Sequence, residues 1–452
     1  MADQDAHSRP VFSIDRMDSK KLLKIFIFVS LAAILTAVFS GQLFELARGL
    51  GNNSPKFRMD EDYFWGVLWA LGLGAVIYAL PLGRVEKIWL LIFWAFRCVI
   101  TLGLMLFYED FYSSLDSYGY LKRGILAQVD SGNFGGAGTQ HLDQLLILTN
   151  HYLPIHSSYH AIKVIFSFIG LGAVFSIWRA SVLFFEKENF RFFLILGFLP
   201  SLTFWSSVLG KDPVNFLGGS LYILGVAYFF KNKKNFAFFW ILMGTAIACW
   251  VRIWSVALFF LPFLLAPIFR EFFNRKIPIK SLIIPTLVIL LGGFYLDSWL
   301  GPIIESFGRE YLESLNRMSA GWDGGSTQDL IFNSWGAVLR FLPLGVFTAL
   351  FRPLPFDVNN AFGILAGLEN FILLLFTIRA VFKSSSLAWR DPSVLWCSSF
   401  ILIWGLFYAL VSYHNLGSAF RFHLQVLPFQ LLLILFLNRQ KSKILRVAEL
   451  KL

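Results

Sequence analysis

Three carboxylates, Glu109, Asp110 and Asp116, fall in one short stretch, EDFYSSLD, directly after a long apolar run. If this stretch is helical, Glu109 and Asp116 lie two turns apart on one face. The interleaved Phe111, Tyr112, Tyr118 and Tyr120 then sit where a membrane-interface aromatic belt belongs. A carboxylate held at such a boundary suits either of two tasks. It is a general base for an acceptor hydroxyl, or it holds a divalent cation, Mg or Mn, that bridges to phosphate. A solvated amphipathic connector would use the same residue types, and the sequence leaves these alternatives open.

The cations form a second set. In VLGKDPVNFLGG (208–219) Lys211 and Asp212 stand side by side at the mouth of an apolar helix. Asp212 followed by Pro213 reads as a helix start, with aspartate as the N-cap and proline at the first helical position. Lys211 adds its charge to that helix N-terminus, which makes an anion site, or it snorkels to lipid headgroups. Arg252 lies in CWVRIWSV with scarcely a polar neighbour. An arginine at such depth needs a partner or a wet cavity. It is either a structural salt bridge, with Asp212 one choice of partner, or a bidentate clamp on phosphate. Arg352 and Arg421 stand at further helix ends and extend the set of donors. Histidine is a weaker lead: His156 and His160 are four apart, but Pro154 and the neighbouring serines unsettle their helix and no third ligand accompanies them. The runs GNFGGAG (132–138) and GWDGGST (321–327) follow no strand, so they read as loops and not as nucleotide-binding fingerprints.

The elements that must position these residues follow from composition. Of 452 residues, 57% are hydrophobic and only 15% charged, where soluble domains carry about 25% charged residues. Apolar runs recur along the chain, each near the roughly 20 residues that cross a bilayer as a helix. The expected fold is an all-α, polytopic helical membrane protein with about 12 transmembrane helices. The spans fall near 22–44, 63–81, 88–108, 160–178, 192–207, 213–230, 235–251, 254–269, 281–299, 361–378, 393–411 and 422–438. The run VLRFLPLGVFTALF (338–351), bounded by Arg340 and Arg352, is short and reads as a re-entrant or interfacial segment. Residues 1–452 are expected to form a single integral-membrane domain, with an outer-face loop of amphipathic elements at 109–159. A second outer loop, at 300–360, includes the re-entrant segment.

The net charge of +11 does not point to nucleic acid, because the basic residues sit in short clusters between apolar runs. With both termini cytoplasmic, most of the 39 lysines and arginines fall on the inner side, as the positive-inside rule requires. Counting 338–351 as a full span would break this parity. Cys98, Cys249 and Cys397 lie inside apolar segments and give no disulfide framework. The first apolar run lacks a small-residue cleavage site and reads as a retained anchor. Under this topology the carboxylates, Lys211, Arg252, Arg352 and Arg421 share the outer face, so a site is expected there.

The stretches EDFYSSLDSYGY, FWSSVLGKDPVNFLG, WVRIWS, RPLPFDVNNAFGILAGLEN and NLGSAFRFHLQVLPF together resemble bacterial envelope proteins that handle polyprenyl-linked sugars. These are multi-spanning glycosyltransferases of the GT-C type and the polymerases of exopolysaccharide and O-antigen assembly. The resemblance implies transfer or polymerisation of sugars from a polyprenyl-(di)phosphate donor to a saccharide or lipid acceptor, at the outer face of the cytoplasmic (inner) membrane. Asp110 or Asp116, with Glu109 beside them, would be the acidic catalytic candidates. Lys211, Arg252, Arg421 and Arg352 would hold the donor's phosphates. The acidic motif here follows the third span and not the first, and the carboxy-terminal part reads as membrane-spanning; both fit a polymerase-like member better than an oligosaccharyl- or mannosyltransferase. The alternative is a transporter or flippase for a lipid-linked saccharide, favoured by Arg97 and Lys163 inside spans and by the glycine-bearing FLGGSLYILG. Against it, no internal repeat is visible.

Overall fold

The computed structural model describes residues 59–111, 116–124, 137–274, 335–358 and 361–449. The expected spans at 22–44 and 281–299 and most of the 300–360 loop lie outside the described residues. Every regular element described is helical. Numbered over the described residues, the helices begin with α1 (Met59–Ala79), α2 (Arg84–Val99), a π-helical turn (Ile100–Leu104), α3 (Met105–Phe111), α4 (Asp116–Gly124) and α5 (Ala137–Tyr152). They continue with α6 (Tyr159–Phe185), α7 (Phe190–Phe198), α8 (Pro200–Trp205), α9 (Lys211–Phe230), α10 (Lys234–Val251) and α11 (Ser255–Asn274). The last are α12 (Trp335–Phe351), α13 (Ala361–Lys383), α14 (Pro392–His414), α15 (Leu416–His423) and α16 (Leu427–Glu449).

Seven described helices, or eight with one bent pair, are long and apolar enough to cross a membrane. The seven match the runs expected at 63–81, 88–108, 160–178, 213–230, 235–251, 361–378 and 393–411. One of them, α14, starts on a side-chain cap that satisfies an orphan backbone group: the Asp391 carboxylate accepts from Ser393 N–H at 2.9 Å, ahead of Pro392. The short α15 starts in the same way, the Asn415 amide oxygen accepting from Ser418 N–H at 3.0 Å.

Other expected spans take different forms. The 192–207 run is two short helices, α7 and α8. Pro200 lacks an N–H, and Leu199 before it is extended (φ −62°, ψ 121°), as a residue preceding proline tends to be. The 422–438 run is the bent pair α15 and α16, 58° apart. The 338–351 run, expected as a re-entrant or interfacial segment and not as a span, is α12, a 17-residue helix of about 25 Å, shorter than a ~30 Å hydrocarbon core.

The chain divides into two compact units, one of residues 1–174 and 206–214 and one of 175–205 and 215–452. In the first, α1 packs on α2 through Trp94, whose Nε1 donates to the Ala70 carbonyl at 2.8 Å. Tyr63 donates to the Leu102 carbonyl, inside the π turn, at 2.6 Å. Helices α4 and α5 pair through Arg123 and Asp143 at 2.8 Å, and Gly124 lets the backbone approach Leu146, whose Cβ would lie 2.8 Å from any added Cβ.

In the second unit α14 is the central helix, with α11, α12 and α16 against it. Helices α9 and α10 meet along a seam of small residues. A Cβ on Gly218 would lie 2.6 Å from Ala248 N, one on Gly225 2.5 Å from Ile241 N, and one on Gly244 against Tyr222 N. Only glycine permits backbones this close, the small-residue packing of membrane helices. Outward faces are apolar: α13 exposes Leu365, Leu368, Ile372, Leu375 and Phe376, and α10 exposes Phe236, Phe239 and Leu242. Such stripes suit lipid as solvent.

Candidate functional site

In the first unit a buried polar cluster forms where the starts of α1, α4 and α6 meet the end of α3. Glu109 is almost fully buried. Lys163, one turn into α6, places Nζ 2.7 Å from Glu109 Oε1 and 2.9 Å from Oε2. The Tyr159 hydroxyl lies 2.8 Å from Glu109 Oε1 and 3.1 Å from Ser117 Oγ. With one proton to give, it donates to the carboxylate and accepts from Ser117. Glu109 thus ties α3, α4 and α6 together, and Lys163, which sequence places inside a span, supplies its counter-charge.

Beside it stands a second group. Asp62 Oδ1 accepts from Ser158 Oγ at 2.5 Å and from His160 N–H at 3.1 Å. Its Oδ2 lies 2.9 Å from His160 Nδ1. The carboxylate can only accept, so the Nδ1 atom carries a proton. Nε2 is buried with no hydrogen-bond partner among the described residues. Sequence reading missed Asp62 and His160 as a pair. The available signal was the serine ahead of YHAIK, which puts His160 and Lys163 on one face of a helix.

Asp116 opens α4 and is exposed; a carboxylate there is favoured by the helix N-terminus. Asp110 lies on α3 next to Glu109. Residues 112–115 lie outside the described residues, so the expectation of one continuous helix from Glu109 to Asp116 does too.

Also in this unit, Lys211 donates through Nζ to Thr139 Oγ1 of α5 at 2.7 Å. Helix α9 begins at Lys211, so Asp212 lies inside its first turn, two residues beyond the N-cap position expected for it, and is buried there. Arg97 on α2 is fully buried. Its Nη1 donates to Ser207 Oγ at 3.1 Å and to the Ser167 carbonyl at 3.4 Å. Nε and Nη2 have no hydrogen-bond partner among the described residues. Gly170 is required beside it, since a Cβ there would strike the Ser206 carbonyl and Arg97 Nη1.

The second unit holds the remaining cations. Arg252 follows α10 in an extended conformation (φ −145°, ψ 91°) and is buried. Its Nη1 donates to Tyr408 Oη at 3.3 Å, and its guanidinium carbon lies 4.9 Å from the Phe422 ring centre. Trp254 Nε1 also donates to Tyr408 Oη, at 3.0 Å. Arg421 stands half-buried in the last turn of α15.

Arg352 has its fork taken up by Asp357: Nε to Oδ2 and Nη2 to Oδ1, both 2.8 Å. Leu354 N–H adds a third bond to Asp357 at 2.7 Å. Burial pushes the Asp357 carboxyl up, but the bonds from Arg352 and Leu354 outweigh it and hold the group below its ordinary value. The same pairing holds Arg352 above its own.

The sequence-derived candidates are therefore divided, with Glu109, Asp110, Asp116, Lys211 and Asp212 in one unit and Arg252, Arg352 and Arg421 in the other. Among the described residues no group of three or more His, Cys, Asp or Glu side chains is gathered as metal ligands. Comparison with protein-family models, curated proteins and solved structures finds no match to this chain.

Proposed function

We propose that this chain transfers or polymerises sugars from a polyprenyl-(di)phosphate donor at the outer face of the cytoplasmic membrane, in envelope or exopolysaccharide assembly. In this reading about 12 helices cross the bilayer, α12 is re-entrant or interfacial, and both termini are cytoplasmic. One observation carries the proposal: an exposed carboxylate, Asp116, on a short helix whose next residue, Ser117, meets the buried Glu109–Lys163–Tyr159 anchor at the end of a long apolar helix. Catalysis at a membrane surface needs a base that is open to the acceptor yet fixed against the bilayer.

Asp116, or Asp110 beside the same anchor, takes the proton of the acceptor hydroxyl. The hydroxyl oxygen bonds to the anomeric carbon as the bond from that carbon to the phosphate oxygen breaks. The electron pair leaves with the phosphate, whose charge Lys211, in the same unit as Asp116, stabilises. Arg352, already paired, shapes the 352–357 turn. Glu109 is a positioning residue. A divalent cation, Mg or Mn, would find Asp116 and the donor's own phosphate oxygens as ligands.

The test is product formation from a polyprenyl-diphosphate-linked sugar in proteoliposomes. Asp116→Asn or Asp110→Asn should lower kcat about 100-fold or more, the scale of general-base loss. Full product from both variants sinks the mechanism. The buried Arg97, with donors to spare, favours a second reading as a flippase. Transbilayer movement of the donor without any product, in the same vesicles, would select it.

A further inference from the structure

Among the described residues two glutamates are buried, Glu109 and Glu369, each on a helix long and apolar enough to cross a membrane. They are answered differently. Glu109 has the Lys163 ammonium against it. Glu369, in the second unit, accepts from Ser201 of α8: from its N–H at 2.9 Å through Oε2, and from its hydroxyl through Oε1. No lysine, arginine or histidine among the described residues pairs with it. It lies eight residues, or ~12 Å, into α13, close to the middle of a ~30 Å hydrocarbon core.

Neighbours on α13 hold Glu369 to that partner. A Cβ on Gly367 would lie 2.6 Å from the Leu354 carbonyl carbon, and Asn370 Nδ2 donates to the Pro353 carbonyl at 3.2 Å. The helices chiefly packed on α13 are α8, α12 and α16. Helix α8 carries no charged residue, and α16 none before Arg439. On α12, Arg352 is held by Asp357, and Arg340 Nε donates to the Gly336 carbonyl. On α13 itself the next charge is Arg379, ten residues on.

A carboxylate at such depth without a counter-charge is expensive as an ion, and a proton, which needs no cavity, relieves it. Ser201 suits both states. Its hydroxyl donates to a carboxylate and accepts from a carboxylic acid, whereas the Lys163 ammonium only donates and holds Glu109 charged. A metal ion would call for further ligands, and among the described residues no group of three or more His, Cys, Asp or Glu side chains is gathered for one.

We infer that Glu369 is a proton-binding site within the membrane. When it is filled, the acid O–H donates to Ser201 Oγ; when it is empty, the carboxylate accepts from Ser201, the proton having returned to the aqueous phase. Proton binding there stands whether or not the chain transfers sugars.

The test titrates the full chain in lipid nanodiscs by infrared difference spectroscopy, which reads the C=O stretch of a protonated carboxyl, from about pH 9 to about pH 5, where buried carboxyls titrate. A carboxylic band should grow as pH falls and be lost in Glu369→Gln. Ser201→Ala keeps the backbone N–H but removes the hydroxyl. It should half-fill the band at about tenfold lower proton concentration, the worth of one hydrogen bond to the ionised form. That shift is read in a chain that keeps its carboxyl, so it decides the matter even where Glu369→Gln melts early. The absence of any pH-dependent band that Glu369→Gln removes, or a band that Ser201→Ala leaves in place, overturns the assignment. Replacing choline by sodium at fixed pH should leave the band unchanged. Its loss would give the site to a metal ion and overturn the proton as ligand.

Discussion

Lys163 sits in sequence near the start of a 27-residue apolar helix whose other cation, Arg179, is 16 residues on, and no spacing rule connects it to Glu109. Their pairing is made by the fold. Removing one member of a buried pair leaves an uncompensated charge, at a cost of about 3–5 kcal/mol. Lys163→Met should therefore lower the melting temperature sharply in detergent, and Glu109→Gln in the same chain should recover most of the loss. Additive losses would show that the two charges do not depend on each other. The Asp62–His160 dyad was hidden in the same way, because its halves come from α1 and α6. By contrast, Arg352 and Asp357 are local, and their pairing gives a pH prediction. The folded Asp357 carboxyl lies below its ordinary 3.8, so its contribution is fully present above that value and fades as pH falls through the depressed one. Hydrogen exchange at the Leu354 amide, corrected for intrinsic rate, should stay protected at pH 5 and lose protection only well into acid. Loss that begins above pH 5 would contradict the pairing.

At the scale of elements, the seven long helices were legible because an uninterrupted apolar run of that length has few other stable fates. The breaks were less so. Pro200 carries the physical reason for the α7–α8 interruption, yet hydropathy averaged over the run conceals it. The bend between α15 and α16 has even less signal, since HLQVLPF reads as one more apolar stretch until the helices are seen to diverge by 58°. Glycine is the other instructive case. FLGGSLYILG shows small residues but not which of them face a neighbour. In the fold Gly218 faces Ala248 and Gly244, while a Cβ on its sequence neighbour Gly219 would meet only Phe259 Cζ, at 3.8 Å. Gly244→Val should then be poorly tolerated, because its Cβ would meet backbone on α9, and overpacking a tight contact costs about 1–3 kcal/mol or more. A Gly244→Val protein that melts like wild type would mean that the α9–α10 seam is looser than the structure has it.

For the whole molecule, composition alone settled the class, since 15% charge and recurrent apolar runs leave little choice. What composition could not convey is how the faces of successive helices are aligned, and the π turn at Ile100–Leu104 shows why. At ~100° per residue, a regular helix would point Arg97 and Glu109 ~120° apart. Absorbing one extra residue in a π turn brings them to within ~20° of each other. Both do face α6: Arg97 reaches the Ser167 carbonyl and Glu109 reaches Lys163. The turn works as a phase correction in a counting problem: the span carries one residue more than a regular helix needs between Arg97 and Glu109, and the π turn absorbs it. Deleting Gly103, beside which an added Cβ would meet nothing within 4 Å, should let the turn close into regular helix and leave Glu109 on Lys163. Inserting one alanine after Gly103 should instead swing Glu109 ~100° off Lys163, and in that background Glu109→Gln should add no further loss of stability. A length change that barely alters hydropathy would thus uncouple the anchor.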